Sequence, residues 1–245
     1  MMQGPVYSSP ATQVTLLPIT GMPEVAPGAD LAELIAEAIE RGVQALEEDD
    51  VLIVTQKIVS KAEGRIVEVH PHDDEARRMI AESEAVRVVR RSPGLIITET
   101  RHGFICANAG VDASNLEPGQ VTLLPVDPDK SARRLRRRLR QITGKAPAII
   151  ISDTFGRAWR IGQTNVAIGV AGMLPVIDYR GTLDHFGNPL KVTTIAIADE
   201  LASAAELVMG KADGVPVVIA RGVRYEKGRG KATSLVRSPE QDLFR

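Results

Sequence analysis

Short β-branched runs separated by a few strongly amphipathic segments dominate the hydrophobic pattern of the chain. Val14 to Pro18 reads as a first strand, followed by the turn-forming stretch Thr20-Gly21-Met22-Pro23-Glu24. Asp30 then sets a helix N-cap with Glu33 three residues on, and Leu31, Leu34, Ile35, Ala38 and Ile39 give that helix one apolar face. Val51 to Thr55 predicts a buried strand that leads into Gln56-Lys57-Ile58-Val59-Ser60-Lys61, where polar and apolar positions mix. Arg65 to Val69 predicts a strand and Asp74 to Val89 a helix, and Pro93-Gly94 breaks the chain before Leu95-Ile96-Ile97-Thr98.

The second half is punctuated more sharply. Asp127-Pro128 supplies a cap and a proline at the first helical position, and the helix runs to Gly144, which can stop it in the left-handed conformation. Ala148 to Ser152 reads as a buried strand ending at Asp153, and the stretch from Gly156 to Pro189 carries little periodicity. Val192 to Ala198 reads as a strand, Asp199 to Met209 as an amphipathic helix and Val215 to Ala220 as a closing strand. The basic, glycine-containing tail from Arg221 to Arg245 reads as loops. Several strands come one after another with only turns between them, which favours an α+β fold with mixed or antiparallel sheets and packed helices over a doubly wound sheet. No linker is evident, so residues 1–245 are expected to form a single domain, built as two intimately packed lobes.

Composition narrows the possibilities. Apolar residues make up 44% of the chain but aromatics only 3%, so the core must be mainly valine, isoleucine, leucine and alanine. Thirty basic against thirty-one acidic side chains give a formal net charge of −1, which points to no nucleic-acid or membrane partner. The lone cysteine, Cys106, excludes a disulfide framework and any multi-cysteine zinc site, and its setting in Phe104-Ile105-Cys106-Ala107 favours a buried, inert thiol over a nucleophile. The start Met-Met-Gln-Gly-Pro-Val has no signal-peptide character, and no apolar run approaches the roughly 18 residues of a spanning helix, so a cytoplasmic location is expected.

The candidate chemistry is carried by oxygen donors. Asp153-Thr154 closes a buried strand and can offer a carboxylate, a hydroxyl and a backbone carbonyl to a hard cation, with Arg157 and Arg160 close behind to meet phosphate. Spacing alone favours reading the same pair as a strand-terminating aspartate that caps a turn. Gly110-Val111-Asp112-Ala113-Ser114-Asn115 supplies a second acid in a turn. The phosphate-loop motif Gly-x-x-x-x-Gly-Lys-Ser/Thr is absent, so a nucleotide needs another cradle. Two basic segments stand out: Gly228-Arg229-Gly230-Lys231, and a helix carrying Arg133, Arg134, Arg136, Arg137, Arg138 and Arg140. Each is either a solvated or partner-facing surface or an anion grip. The histidines, His70, His72, His102 and His185, form no zinc pair at helical spacing.

Longer motifs make the reading specific. Thr20-Gly21-Met22-Pro23-Glu24-Val25, the run from Val54 to Arg65 and Ala109 to Asn115 resemble the coenzyme F420-0:γ-glutamyl ligase family. Leu124 to Asp129, Ser152 to Arg160, Gly162-Gln163-Thr164, Tyr179-Arg180-Gly181 and Ala198 to Lys211 continue the resemblance, which covers the chain from about Val14 to Phe244. It implies a GTP-dependent ligase that attaches L-glutamate to the lactyl carboxylate of coenzyme F420-0 through an acyl phosphate, then adds further γ-linked glutamates. Met22, Pro23, Glu24, Val25, Gln56, Lys61 and Asn115 would contact the nucleotide, together with Met209-Gly210-Lys211-Ala212-Asp213-Gly214-Val215-Pro216. Asp112 and Asp153 would hold one divalent cation, Mg2+ or Mn2+, with Thr154 helping a second, and a potassium ion is a further expectation. Lys61 and Arg157 would stabilise charge. An α+β fold forming an intertwined homodimer is implied, without the nitroreductase-like domain that some relatives carry.

One departure stands out. Lys211 takes the place of a glutamine expected to ligate the second cation, and an ammonium cannot do so. The competing readings are a metal-dependent phosphotransferase, a ligase acting on another carboxylic acid, and, from a different class, an RNA-binding module using the Arg133 to Arg140 helix.

Overall fold

The computed structural model describes residues 13–42 and 45–242. The initial Met-Met-Gln-Gly-Pro-Val and the last three residues of the tail lie outside the described residues. In chain order the elements are strand β1 (Thr15–Ile19), helix α1 (Leu31–Arg41), β2 (Val51–Thr55), α2 (Gln56–Ala62), β3 (Ile66–Glu68), α3 (Asp74–Ser83), β4 (Ala85–Ser92), β5 (Leu95–Thr100) and β6 (Ile105–Ala107). Next come β7 (Gln120–Thr122), α4 (Pro128–Thr143), β8 (Ala148–Arg157), β9 (Arg160–Ala171), β10 (Ile177–Asp178), β11 (Thr194–Ile195), α5 (Ile197–Met209) and β12 (Val217–Arg221).

The centre is a five-stranded mixed sheet in the order β1-β12-β2-β8-β9. Only β2 and β8 run parallel; the other neighbours are antiparallel. Strand side chains alternate between faces, and both faces of the sheet are apolar. Leu52, Val54, Ile149 and Ile151 pack on one side with Ile35 of α1 and Leu135 and Leu139 of α4. Val51, Ile53, Ile150 and Val218 pack on the other with Ala198, Ala202, Ala205 and Met209 of α5. The α+β fold with mixed and antiparallel sheets is therefore as expected. Three small antiparallel sheets, β4-β5-β6, β3-β7 and β10-β11, flank it. None of the helices among the described residues is long and apolar enough to cross a membrane.

Helix ends obey their caps. The Asp30 carboxylate accepts from the N–H groups of Ala32 and Glu33, Asp127 accepts from Lys130, and Gly144 closes α4 at φ 74°. Elsewhere pairing overrides local pattern. The expected helix Asp74 to Val89 stops at Ser83, because Ala85–Ser92 pairs across a tight Pro93-Gly94 turn with β5. The strand expected to end at Asp153 continues to Arg157, since β9 opposes it residue by residue, Asp153 facing Val166 and Thr154 facing Asn165. Conversely, the expected strand Val192 to Ala198 shrinks to Thr194–Ile195, its end absorbed into α5.

Asp129, in the first turn of α4, ties three elements together. Its Oδ1 accepts from the N–H groups of Val170 in β9 (2.8 Å) and Ala232 in the tail (2.9 Å), and the residue is buried. Replacing it by alanine leaves two buried donors unsatisfied, at about 1–3 kcal/mol each. Asp129→Ala is thus expected to lose roughly 2–6 kcal/mol in urea denaturation, while Asp129→Asn, which keeps an acceptor, recovers most of that loss.

Candidate active site

The parallel pair β2–β8 ends with Thr55 opposite Ser152, so the residues beyond both positions emerge at the same edge of the sheet. After β2 comes α2, which presents Lys57 and Lys61; after Ser152 come Asp153 and Thr154. On β9 an extra residue, Ile168, interrupts the pairing beside Ser152, a bulge of the kind that re-aims neighbouring side chains at functional sites. Two further segments close on this edge. The turn after Val111 is fixed by reciprocal bonds between Asp112 and Thr122. The loop after α5 is anchored by Thr55 N–H donating to Pro216 O (3.0 Å) and Asn115 Nδ2 donating to Lys211 O (3.3 Å).

Two neighbouring cavities result, with Thr55, Lys57, Asn115, Gly210 and Lys211 in the walls of both. The larger, of about 270 Å³, is lined by Met22, Pro23, Glu24, Val25, Lys61, Asn115, Gly210, Lys211, Ala212, Gly214, Val215 and Pro216, joined by Lys57. These residues come from four segments far apart in sequence, and nearly all were expected to touch a nucleotide. Lys61 is buried, its Nζ paired with the Glu24 carboxylate and donating to Asn115 O (3.0 Å). Gln56 is buried in the wall of the smaller cavity, its Oε1 accepting from Ser60 Oγ. Two expected contacts line neither cavity. Met209 is buried in the apolar layer beneath α5, and Asp213 packs against Gly210, where a Cβ would lie 2.1 Å from its Oδ2. Gly210 therefore supplies both a positive φ and the space for that carboxylate.

The smaller cavity, of about 110 Å³, holds Asp112, Asp153 and Thr154 together. Burial works against ionisation of Asp112, but Lys57 Nζ at 2.7 Å and the Ser114 N–H and hydroxyl hold its carboxyl below the usual range. Asp112 thus caps its own turn and faces the cavity as well. Asp153 is displaced the other way: desolvation pushes its pKa up to about 7, the Asp112 charge adds to the rise, and the Thr154 N–H, Lys57 and Lys211 oppose it. Ser152 Oγ, also in this wall, is buried with no hydrogen-bond partner.

This donor set fits one divalent cation. Two neighbouring carboxylates penalise each other's ionisation, and a cation between them would remove that penalty. Among the described residues no cluster of three or more His, Cys, Asp or Glu side chains is arranged to hold a metal. The set resembles instead a magnesium-type site, in which one or two carboxylates act with substrate phosphates and water. A second divalent cation at Thr154 would have to displace the Lys211 ammonium, as one at Asp112 would displace that of Lys57. Thr154 Oγ1 donates to Asn165 Oδ1 (2.7 Å) and accepts from Lys211 Nζ (2.9 Å), which also pairs with Glu206 (2.9 Å). An ammonium already stands among those oxygens.

Arg157 lies elsewhere, on the exposed end of the β8–β9 arm, its Nη2 donating to Ile161 O. In its place the structure adds Lys57, Asn165 and Glu206 to the site. Asn165 was detectable as a polar residue heading an otherwise apolar run, and it is buried. Lys57 carried no such signal. Cys106 is buried and its thiol pushed up to about 12, chiefly by desolvation, as the inert reading requires.

Comparison with known sequences identifies the family. The family model described as F420-0:Gamma-glutamyl ligase matches residues 20–222, a span that includes every residue of both cavities. The chain is 48% identical to the Coenzyme F420:L-glutamate ligase of Methanopyrus kandleri, covering 91% of this chain and 94% of the relative. It is 44% identical to the enzyme of that name from Methanothermobacter thermautotrophicus (95% and 99% covered) and 41% identical to that of Methanocaldococcus jannaschii (88% and 90% covered). Similarity of this extent, running through every segment that builds the cleft, places the chain in the F420-0:γ-glutamyl ligase family.

Proposed function

We propose that this protein is a coenzyme F420:L-glutamate ligase that uses GTP to join L-glutamate to the lactyl carboxylate of coenzyme F420-0 and then adds further γ-linked glutamates. The observation that carries the reading is the junction of a lysine-lined cleft with a pair of carboxylates at its end. A carboxylate is a poor acylating agent. Transfer of the γ-phosphoryl group to it gives an acyl phosphate and GDP; the glutamate amine then attacks the carbonyl, an amide forms, and inorganic phosphate and a proton leave.

The side chains meet the demands of phosphoryl transfer, which are positioning and charge neutralisation. Lys61, held by Glu24 and Asn115, presents a fixed positive charge inside the nucleotide cleft. Lys57 and Lys211 flank the carboxylate pair and would meet the transferred phosphoryl group. Asp112 and Asp153 would hold Mg2+ or Mn2+, which would draw charge from the phosphate oxygens. A second divalent cation or a potassium ion beside Thr154 would have to displace the Lys211 ammonium. For Arg157 to stabilise charge, its arm must reach a cleft, and an intertwined homodimer supplies the route. Trp159 and Ile161 beside it are 84% and 99% exposed, an apolar surface that a second copy would cover.

Incubation with GTP, L-glutamate and coenzyme F420-0, with mass spectrometry of the products, should show whole glutamate residues gained, with GDP and phosphate released in step. Glutamylation with ATP alone as phosphoryl donor would refute the GTP assignment, and no mass gain with either nucleotide would refute the ligase. Asp153→Asn should lower turnover by more than about 100-fold while leaving the thermal melt in place, and should weaken Mn2+ binding measured by electron paramagnetic resonance. A variant retaining both activity and Mn2+ affinity would remove Asp153 from the site.

A further inference from the structure

The two basic segments that the ligase reaction leaves unused meet in one cleft. Arg133, Arg137 and Arg140 of α4 face Arg229 and Lys231 of the tail loop across a cavity of about 510 Å³, floored by Ala171 and Gly172 at the end of β9. Arg136 completes the wall, its Nε and Nη2 fixed by Pro147 O (3.0 Å) and Ala146 O (2.9 Å). No acidic residue is among the residues lining it. Among the described residues, the ion pair that a lining residue makes is a loose one, Arg133 to Asp127 at 3.8 Å, between two exposed side chains.

The cleft is a built feature. Gly228 N–H donates to Gly172 O and Gly230 N–H to Met173 O, while Leu174 N–H donates back to Glu226 O, so the loop is laced to the chain just beyond β9. A Cβ at Gly230 would lie 2.2 Å from Met173 O, and one at Gly172 2.4 Å from Arg136 Nε, so the glycines permit both close approaches. Asp129 anchors the tail one residue past Lys231, through Ala232 N–H.

Six cationic side chains around one cavity, in a chain of net charge −1, are an electrostatic arrangement and not a by-product of composition. Guanidinium groups cannot shed their protons to relieve mutual repulsion, and a single-sign cleft focuses its potential on an anion. The planar fork of arginine matches phosphate oxygens in pairs. The volume falls in the range of small-molecule sites, and no aromatic side chain lines it for base stacking, which favours a compact oligophosphate over single-stranded RNA. The site is also separate from the catalytic cleft. Ala171 pairs with Ile149, four residues and roughly 13 Å along β8 from Asp153.

We propose that this cleft is a second anion site, which binds an oligophosphate, free or carried on a nucleoside, independently of a metal ion. Calorimetric titration of the full chain with inorganic triphosphate in EDTA should show binding that weakens steeply with salt. The Arg137→Glu/Arg229→Glu double variant should bind at least about tenfold more weakly, a difference of about 1.4 kcal/mol, and should keep the basal ligase activity. The milder Arg137→Gln/Arg229→Gln pair should show the same direction, and circular dichroism reports whether each variant is folded. Lys57→Ala, which alters the catalytic cleft, should leave triphosphate binding unchanged. GTP in EDTA identifies the source: competition with triphosphate assigns the site to nucleoside-borne phosphates as well, and its absence to free oligophosphate alone. The proposal is overturned by absence of binding or by undiminished binding in the double variants. Loss of binding in Lys57→Ala alone would place the anion in the catalytic cleft. Tighter binding of a 20-nucleotide RNA than of triphosphate, lost in the same variants, would reassign the surface to nucleic acid. A change of assembly state by light scattering in the double variants would reassign it to contact between copies.

Discussion

The parallel pairing of β2 with β8 is the constraint on which the site depends. Parallel strands need a crossover, and here it runs through α2, α3, two of the small sheets and α4 before the chain returns beside its starting point. The register is held by the ladder and by apolar packing: Val51 to Val54 and Ala148 to Ile151 are buried on both faces. A slip of one residue would exchange those faces and carry the Asp153 carboxylate about 3.3 Å along the sheet and to its other side. The chemistry of the carboxylate pair is thus fixed by valine, leucine and isoleucine several residues away, which themselves touch no ligand.

The group that the core delivers to that edge is electrostatically unfavourable on its own. A desolvated carboxylate beside a second one, at the mouth of an apolar sheet, resists ionisation. The surrounding groups offset this unevenly. Lys57 and Ser114 satisfy Asp112, and Lys211 satisfies Thr154, Asn165 and Glu206, whereas Asp153 keeps little beyond the Thr154 N–H. The site is in this sense preorganised for positive charge at one position and already supplied with it at the next.

The sequence declared α1 and α4 plainly, because capping residues and an apolar stripe are local signals: Asp30, Asp127-Pro128 and Gly144 act within one turn of where they stand. It concealed β4, β9 and α2, whose causes are distant. Val86, Val88 and Val89 come after α3 with little more than Glu84 between, and become a strand only through β5. The outer half of β9 is exposed on both faces, so it shows no alternation, and α2 begins with no side-chain cap. The site was legible through long motifs and not through spacing. Asp112 and Asp153 lie far apart in sequence, and their meeting is a property of the fold. Lys57 and Glu206 look like ordinary surface charges in sequence, and Arg157 looked closer to Asp153 than its place on a protruding arm allows.

The buried thiol of Cys106 has a consequence of a different kind. With its pKa near 12 and its side chain enclosed in the fold beside β5, it stays protonated and out of reach of oxidants and alkylating reagents at neutral pH. No other cysteine exists in the chain. The molecule is therefore chemically silent toward thiol reagents, and a cysteine introduced at exposed Ala158 on the β8–β9 arm would be its single addressable position. A fluorophore or spin label there would report the surroundings of the arm against no background from the rest of the protein.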